Sequence, residues 1–295
     1  MLDKLAFLIA LAQEKHFRRA AERCGVSQPT LSAAIKQLEE TFGVALVNRG
    51  SRYVGLTAEG ERVLAWARRI IGDARAMRQE IDTLRSGVSG LVRLAAIPTA
   101  LPVAARLCHA FAARHPAARV RVVSASSKAI ASMLEDFEID GGVTYLDNEP
   151  LPNVATVPLY REGYRLVTPR QGPLGSRAEV SWAELGELPL CLFTQDMQNR
   201  RILDQRLAEA GGPRVTMETN SSLVMAEVVS SGSWSSVMPP VLIEALPFPD
   251  HIVSIPIGAP VVTHGVGLAV ADREPMASAA SALVAEARRL AAPGA

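Results

Sequence analysis

Apolar and polar positions alternate with helical spacing through most of the first 42 residues. Apolar residues recur every three to four positions in segments 2–12, 17–24 and 27–42, which predicts three amphipathic helices. The joint between the second and third helices is tight, because Gly25 suits a helix C-cap and Ser27 suits the next N-cap. A short helix–turn–helix of this kind can place the N-terminus of its last helix in the major groove of DNA.

Segment 44–56 predicts two short strands around Gly50 and Ser51, which form the hairpin of a winged helix–turn–helix. Arg49 and Arg52 lie at the predicted tip of this wing. From there, arginine side chains can reach DNA phosphates or the minor groove. The alternative is that both are solvated arginines on an ordinary turn.

Residues 58–86 contain no proline and predict one long helix that begins after Thr57. Its apolar and small residues repeat every seven positions and define a heptad seam: Gly60, Val63, Ala67, Ile70, Ala74, Met77, Ile81 and Leu84. This seam favours self-association of two such helices, and the alternative is a helix that packs on its own domain. The Gly/Ser-rich segment 86–90 predicts a hinge.

Beyond residue 90 the pattern changes to apolar strands that alternate with helices, which predicts parallel sheets flanked by helices. The first lobe has predicted strands at 91–97, 120–123 and 141–145 and predicted helices at 102–115 and 128–138. The chain is expected to cross near 161–167 to a second α/β lobe. That lobe has predicted strands at 190–193, 215–218 and 236–238 and predicted helices at 198–211 and 222–231. A return strand at 265–270 and a last helix at 278–290 complete the first lobe.

Composition fits a multidomain globular protein: the 295 residues are 48% hydrophobic and 21% charged. We expect a cytoplasmic protein without membrane helices, since neither an apolar run of about 18–20 residues nor a signal peptide is apparent. Three cysteines, far apart, favour reduced thiols over a disulfide frame or a zinc site. Net charge is +1, yet residues 1–90 carry 14 Lys/Arg against 10 Asp/Glu, a mild basic bias that suits DNA binding.

Three runs of residues carry a resemblance to a known family. The runs at 20–32 (AAERCGVSQPTLS), 37–43 (QLEETFG) and 56–60 (LTAEG) resemble the signature of the LysR-type transcriptional regulators. The resemblance extends over the whole chain and implies an α+β multidomain protein. Its parts are a winged helix–turn–helix at 1–57, a linker and dimerisation helix at 58–90, and a periplasmic-binding-protein-like effector domain at 91–295. Within that domain, lobe I is expected at about 91–161 and 267–295, and lobe II at about 162–266.

The resemblance assigns DNA contacts to the start of the third helix and to the wing: Ser27, Gln28, Pro29, Thr30, Ser32, Lys36, Arg49 and Arg52. Gln28 is expected to read adenine through its amide. Ser27, Thr30 and Lys36 are expected to touch phosphate or sugar. Ala33 and Ala34 depart from the polar or basic residues that are common in the family. These two alanines remove possible base contacts, so the resemblance does not indicate which DNA sequence is bound.

The resemblance also places a small effector between the lobes, near loops that follow strands. The expected effector-binding residues are Thr99, Ser126, Thr144, Gln195, Asn199 and Asn220. Hydroxyls and amides beside helix N-termini suit a carboxylate or another oxyanion, and a likeness to regulators of one-carbon metabolism suggests formate. Each hydroxyl, taken singly, is also explained as a helix N-cap. Arg200 and Arg201 are either a counter-charge for the anion or solvated helix residues.

No catalytic motif, cofactor fingerprint or metal-ligand spacing is apparent, so we expect neither an enzyme nor a cofactor. Peroxide-sensing members of the family use two nearby cysteines of the effector domain; Cys108 and Cys191 lie too far apart in sequence to suggest such a switch. The implied partners are double-stranded DNA with an inverted repeat, RNA polymerase, and further copies of this chain in a homodimer or homotetramer. The rival hypotheses are a constitutive DNA-binding regulator with no functional effector site and a cytoplasmic solute-binding protein.

Overall fold

The computed structural model describes residues 1–49, 53–149, 151–209, 211–212 and 214–292. The chain divides into two compact units. The first comprises Met1–Arg85 together with Glu135–Glu138, and the second comprises Ser86–Leu134 and Ile139–Ala295.

The first unit begins with a three-helix head. Its helices are α1 (Leu2–Glu14), α2 (Phe17–Cys24) and α3 (Gln28–Phe42), followed by the antiparallel strands β1 (Val47–Arg49) and β2 (Tyr53–Leu56). The predicted winged helix–turn–helix is thus present. The predicted apolar positions form its core, and Leu8, Leu11, Leu31, Ile35 and Leu38 are fully buried.

The joint between α2 and α3 has the predicted geometry. Gly25 follows α2 with φ of 69°, in the left-handed region that favours glycine. The Ser27 side chain accepts a hydrogen bond from the Thr30 amide at 3.3 Å, and Pro29 lies in the first turn of α3. These local cues fix the entry of α3 without any contact distant in sequence.

Helix α4 (Ala58–Ser86) has the predicted bounds, but its heptad seam is divided. At its N-terminal end, Gly60 lies against the backbone of Leu46 and Ala67 is fully buried, so this part packs on its own unit. Val63 and Ala74 of the seam are half-buried, whereas Ile70, Met77, Ile81 and Leu84 are exposed, Leu84 at 83%. The alternative of packing on its own domain therefore holds for the N-terminal part of this helix, and self-association of the exposed part stays a prediction.

The second unit alternates strands and helices. In chain order its elements are β3 (Gly90–Ala96), α5 (Leu101–Arg114), β4 (Ala118–Ser124), α6 (Ser127–Glu135), β5 (Gly141–Tyr145), β6 (Val154–Glu162), β7 (Arg165–Pro169), α7 (Trp182–Leu185), β8 (Leu190–Phe193), α8 (Gln198–Glu209), β9 (Val215–Thr219), α9 (Ser222–Ser230), β10 (Ser236–Met238), α10 (Pro240–Ile243), β11 (Ile252–Pro256), β12 (His264–Ala271) and α11 (Ser278–Ala291). A 3-10 turn, Pro98–Ala100, precedes α5.

Lobe I is built on a five-stranded sheet in the order β4-β3-β5-β12-β6. Strands β3, β4 and β5 are parallel, as predicted, but β12 runs antiparallel to both β5 and β6. The sheet is mixed because β12 enters from lobe II and lies between two strands of lobe I. Strand β12 belongs to the lobe I sheet from His264 onward, three residues before the return expected at about 267.

Lobe II departs further from the predicted parallel sheet. Strands β10, β7 and β11 form an antiparallel sheet, whereas β8 and β9 form a parallel pair. Strands β6, β7 and β11 are absent from the sequence-based prediction. The first crossing between the lobes occurs between Glu162 and Arg165, within the predicted interval 161–167. Among the described residues, no helix combines the length and apolar character needed to cross a membrane.

Candidate functional site

The N-terminal end of α3 forms an exposed polar surface on the head. Gln28, Pro29 and Thr30 are exposed in the first turn, and Lys36 is exposed two turns later, where its ammonium lies 3.8 Å from a Glu40 carboxylate oxygen. Ser32 is half-buried. A positive helix end and these side chains together suit the phosphates and base edges of a duplex.

The wing is described only in part. Arg49 is the last residue of β1, and its side chain lies outside the described part of the chain. Arg52 is not among the described residues, so its predicted role in DNA contact stays a prediction.

The second unit holds a small cavity between its two lobes. Its free volume is about 10 Å³, which is close to the minimum that one water molecule needs. Apolar walls and polar side chains share the lining: Ile97, Pro98, Thr99, Ser127, Tyr145, Phe193, Met197, Gln198 and Asn199. Lobe I supplies the residues up to Tyr145, and lobe II supplies the rest.

Four polar atoms of the lining are buried without a hydrogen-bond partner in the described structure: Thr99 Oγ1, Ser127 Oγ, Gln198 Oε1 and Asn199 Oδ1. These residues are between 1% and 4% exposed. Buried polar groups without partners are rare, and they commonly mark a place for water or a ligand. The amide nitrogens of the same two side chains do have partners: Gln198 donates a hydrogen bond to the Asp147 carbonyl, and Asn199 donates one to the Tyr145 hydroxyl.

A buried carboxyl group, Glu162, lies behind the cavity. It is 1% exposed and accepts hydrogen bonds from the hydroxyls of Tyr145 and Tyr160. Burial raises the pKa of Glu162 to about 7, against the opposing effect of the hydrogen bonds from these two tyrosines. Burial, and then the neighbouring Glu162, also raise the pKa of Tyr145 well above its ordinary value.

The two arginines that follow the cavity residues are engaged elsewhere. Arg200 is 4% exposed and binds Asp204 at 2.7 Å and Glu218 at 2.6 Å. Arg201 forms a two-pronged ion pair with Glu149 at 2.6 and 2.7 Å. Neither alternative drawn from the sequence holds for Arg200, which is a buried structural ion-pair residue.

The structure brings together only some of the predicted effector residues. Thr99 and Asn199 line the cavity. Thr144 is fully buried with an unpartnered hydroxyl but is not among the lining residues. Gln195 and Asn220 are exposed and stand outside the lining, so their role in effector binding stays a prediction.

Ser126 also lies outside the lining, so its assignment stays a prediction. Its hydroxyl accepts a hydrogen bond from the Ala129 amide at 3.3 Å, as an ordinary helix cap, and the next residue, Ser127, faces the cavity instead. Sequence reasoning missed Ser127, Tyr145, Gln198 and Glu162. Ser127 and Gln198 are one residue away from predicted positions, whereas Glu162 carries no local signal because it ends an ordinary strand.

The cysteines do not line the cavity. Cys108 lies in α5 and Cys191 in β8, and burial raises the pKa of each thiol to about 11. Thiols with raised pKa values are poor nucleophiles, since the thiolate is the reactive form. In the described ranges, no group of three His, Cys, Asp or Glu residues is arranged to hold a metal ion.

Comparison with known families matches both parts of the chain. Residues 2–61 match the model described as "Bacterial regulatory helix-turn-helix protein, lysR family". Residues 85–292 match the model described as "LysR substrate binding domain".

Curated relatives cover most of the chain. A probable hydrogen peroxide-inducible genes activator of Streptomyces viridosporus is 33% identical over 81% of this chain and 77% of its own length. The DNA-binding transcriptional dual regulator OxyR of Escherichia coli K12 is 30% identical over 93% of this chain and 90% of its own length.

Solved structures of full-length regulators share the architecture. A full-length OxyR variant of Pseudomonas aeruginosa matches with a TM-score of 0.74 and 28% identity, over 98% of this chain and 94% of that one. The regulator CbnR in complex with its target DNA matches with a TM-score of 0.66 and 23% identity, over 99% of this chain and 100% of that one, which shows the fold alone. The winged head, the long helix, the two-lobed unit and these matches show that the chain belongs to the LysR family of DNA-binding transcriptional regulators.

Proposed function

We propose that this LysR-type regulator is controlled by a very small polar ligand, with formate as the first candidate, that binds in the cavity between the two lobes. The observation that carries this proposal is the set of four unpartnered polar atoms around a space of about 10 Å³. Every carboxylate is larger than this space. Formate, the smallest carboxylate, is the one that needs the least opening of the lobes.

The hydroxyls of Thr99 and Ser127 can donate to a carboxylate, and they come from two different elements of lobe I. Asn199 and Gln198 belong to lobe II, and each amide NH2 has a second N–H beyond the one that its present hydrogen bond uses. A carboxylate that accepts from these groups and from the hydroxyls bridges the lobes. A bridging ligand favours the closed arrangement of the lobes, because only that arrangement offers all its partners at once. The ligand shifts the population of states only by as much as it prefers one of them.

At the DNA end, we propose that paired heads bind an inverted repeat with half-sites about one helical turn apart. The exposed seam residues Ile70, Met77, Ile81 and Leu84 are proposed to pair two α4 helices. Assembly into a tetramer and contact with RNA polymerase belong to the same proposal.

The relatives' names point to a second candidate, a response to hydrogen peroxide. Peroxide, like formate, is larger than the free space, and the cavity lining contains no cysteine among the described residues. The raised pKa values of Cys108 and Cys191 further disfavour thiol oxidation as the signal. We therefore place formate first.

A thermal unfolding series with sodium formate tests the proposal. At a formate concentration about 100 times the dissociation constant, the native state gains about 2.7 kcal/mol and the melting temperature rises. Thr99→Val keeps the side-chain volume but removes a ligand donor, so we expect the shift to disappear. Ser126→Ala, which removes a cap outside the cavity, should keep it. Equal shifts in Thr99→Val and the wild type would contradict the proposed site.

A further inference from the structure

Glu162 occupies the first crossing between the lobes. It is the last residue of β6 in lobe I, and β7 of lobe II begins at Arg165. A chain of hydrogen bonds links it to both lobes: the Tyr145 hydroxyl of β5 donates to Glu162, and the Asn199 amide of α8 donates to the Tyr145 hydroxyl. This carboxyl group therefore contacts the cavity lining at the place where the lobes are joined.

The described surroundings of Glu162 supply no compensating cation. Its hydrogen-bond partners Tyr145 and Tyr160 are neutral. The charged groups on the elements that pack around it are engaged or peripheral: His264 of β12 bonds Asp147, Arg161 bonds Thr263, and Glu286 of α11 bonds Arg114 and Arg289. The exposed Arg106 of α5 lies toward Tyr160. Tyr164 is a neutral neighbour whose ring packs on Trp182 and whose buried hydroxyl has no hydrogen-bond partner in the described structure. The negative charge of an ionised Glu162 is therefore stabilised only by hydrogen bonds from neutral hydroxyl groups.

The cavity also offers little to balance an anionic ligand. Arg200 and Arg201 are committed to carboxylates outside it. Of the four unpartnered atoms, the oxygens of Gln198 and Asn199 only accept hydrogen bonds. An anion beside an ionised Glu162 would place two like charges in a dry site, which strongly disfavours one of them.

We propose that the site takes up one proton with each anionic ligand and that the Glu162 carboxyl group holds this proton. The inference rests on the proposed function, since it concerns the same cavity. In the balanced step, a carboxylate anion and one proton from solvent bind together, and Glu162 passes from carboxylate to carboxylic acid. The net charge of the closed site then stays at −1, as before binding. The ligand class is a small monocarboxylate that binds as the equivalent of its acid.

The pH range in which Glu162 changes its protonation state supports this inference. Burial raises the pKa of Glu162 to about 7, so protonation near neutral pH requires little free energy. Below this pH the site is already protonated and binds the anion directly. Above it, binding must take a proton from solvent, and the affinity falls as the pH rises.

Isothermal titration calorimetry with sodium formate on the full chain, from pH 6 to pH 9, tests the inference. In the wild type we expect the dissociation constant to rise about tenfold per pH unit above about pH 7. At pH 8, titrations in two buffers with different ionisation enthalpies should give an uptake of about one proton per ligand. The wild-type measurement alone is decisive, so it does not depend on any variant that fails to fold.

Glu162→Gln assigns the proton to its residue. Glutamine keeps the shape and is permanently neutral, so the dissociation constant should match the low-pH wild-type value and stay constant with pH. Glu286→Gln is the matched control: Glu286 is also 1% exposed, but it is paired with arginines away from the cavity. That variant should keep the wild-type pH dependence.

The outcomes separate this inference from the proposed function. Formate binding without pH dependence or proton uptake overturns the inference and leaves the interlobe ligand site standing. A tenfold slope that persists in Glu162→Gln overturns the assignment to Glu162. Failure of formate to bind at any pH overturns the proposed ligand, and the proton uptake with it.

Discussion

The head and the two-lobed unit build their functional surfaces in opposite ways. In the head, the predicted contact residues from Ser27 to Lys36 are contiguous in one helix and mostly exposed. In the two-lobed unit, Thr99, Glu162 and Asn199 come from separate elements and are all buried. A DNA-reading surface needs side chains that project from one rigid helix. A small-ligand site needs a dry enclosure, which only several distant segments can make.

The two surfaces are also stabilised by different interactions. Caps, turns and local spacing position α3, so its surface depends on a few neighbouring residues. The interlobe cavity depends on strand order and on the crossing between the lobes at Glu162. A polar group there that loses its hydrogen-bond partner destabilises the folded state, because no water can replace the partner. Changes in the head should therefore alter recognition, whereas changes around the cavity should alter stability and response together.

The largest expected effect lies at the base of the head. A Cβ atom on Gly60 would lie 2.0 Å from the Leu46 carbonyl oxygen, a backbone atom that cannot turn away. Gly60→Ala should therefore destabilise the first unit by about 3 kcal/mol in urea unfolding. Gly43→Ala is the control, because a Cβ there meets open space at φ of 70° and should cost about 1 kcal/mol. Equal losses would show that packing against Leu46 does not constrain α4.

In the two-lobed unit, stability should depend on pH through Glu162. Its pKa is raised to about 7 in the folded state, so its contribution is fully present below the ordinary value of 4.5 and is lost as the pH rises through 7. The free energy of unfolding should fall by about 3 kcal/mol over this window. Glu162→Gln should remove this fall, as measured by urea unfolding at pH 5 and pH 8. A wild-type profile that is flat between these values would contradict the raised pKa.

The exposed half of α4 gives the next effect. Met77 is 58% exposed and Leu84 is 83% exposed, on a seam that should be covered in a dimer. Met77→Glu should shift the protein toward monomer in analytical ultracentrifugation and weaken DNA binding. Gln79→Glu, which adds the same charge two residues away and off the seam, should leave the mass unchanged. A dimer that survives Met77→Glu would indicate another interface.

Recognition by the head should separate into two kinds of contact. Gln28→Ala should reduce discrimination between target and random DNA by about 1–3 kcal/mol. Arg52→Ala should weaken binding to every duplex and lower the salt slope by about one. Fluorescence anisotropy on both DNAs across a salt series checks this pair. Equal loss of specific and random binding in Gln28→Ala would remove its role in base reading.

The smallest effect distinguishes a cap from a ligand contact within one helix start. Ser126→Ala should cost about 1 kcal/mol of stability through loss of the helix cap and should leave formate binding unchanged. Ser127→Ala should change stability less, because its hydroxyl has no partner in the described structure, but should weaken formate binding. The reverse result would restore Ser126 to the cavity.

The sequence predicted the head almost completely, because its signals are local. Gly25, Ser27 and Pro29 each perform the role that their chemistry suggests, and the apolar spacing of α3 selects its buried face. The seam of α4 was predicted only in part. Periodicity shows which residues share a face, but it does not show that Gly60 and Ala67 pack on their own unit.

The cavity was predicted less well, because its members are set by contacts distant in sequence. Thr99 and Asn199 were found from their places at strand and helix ends, but the same rule also selected Gln195 and Asn220, which are exposed. Glu162 could not be found in this way. Its burial follows from the pairing of β6 with β12, and the antiparallel entry of β12 is not encoded in its own apolar run.

The most direct test of the central claim couples the two regions in one measurement. Operator DNA, selected in vitro by the full chain, is titrated with protein while sodium formate is varied at pH 6.5, where Glu162 is largely protonated. Formate should change the DNA affinity of the wild type, whereas Thr99→Val should bind DNA equally well and show no response. A wild-type DNA affinity that is independent of formate, or a Thr99→Val response equal to that of the wild type, would contradict control through the interlobe site.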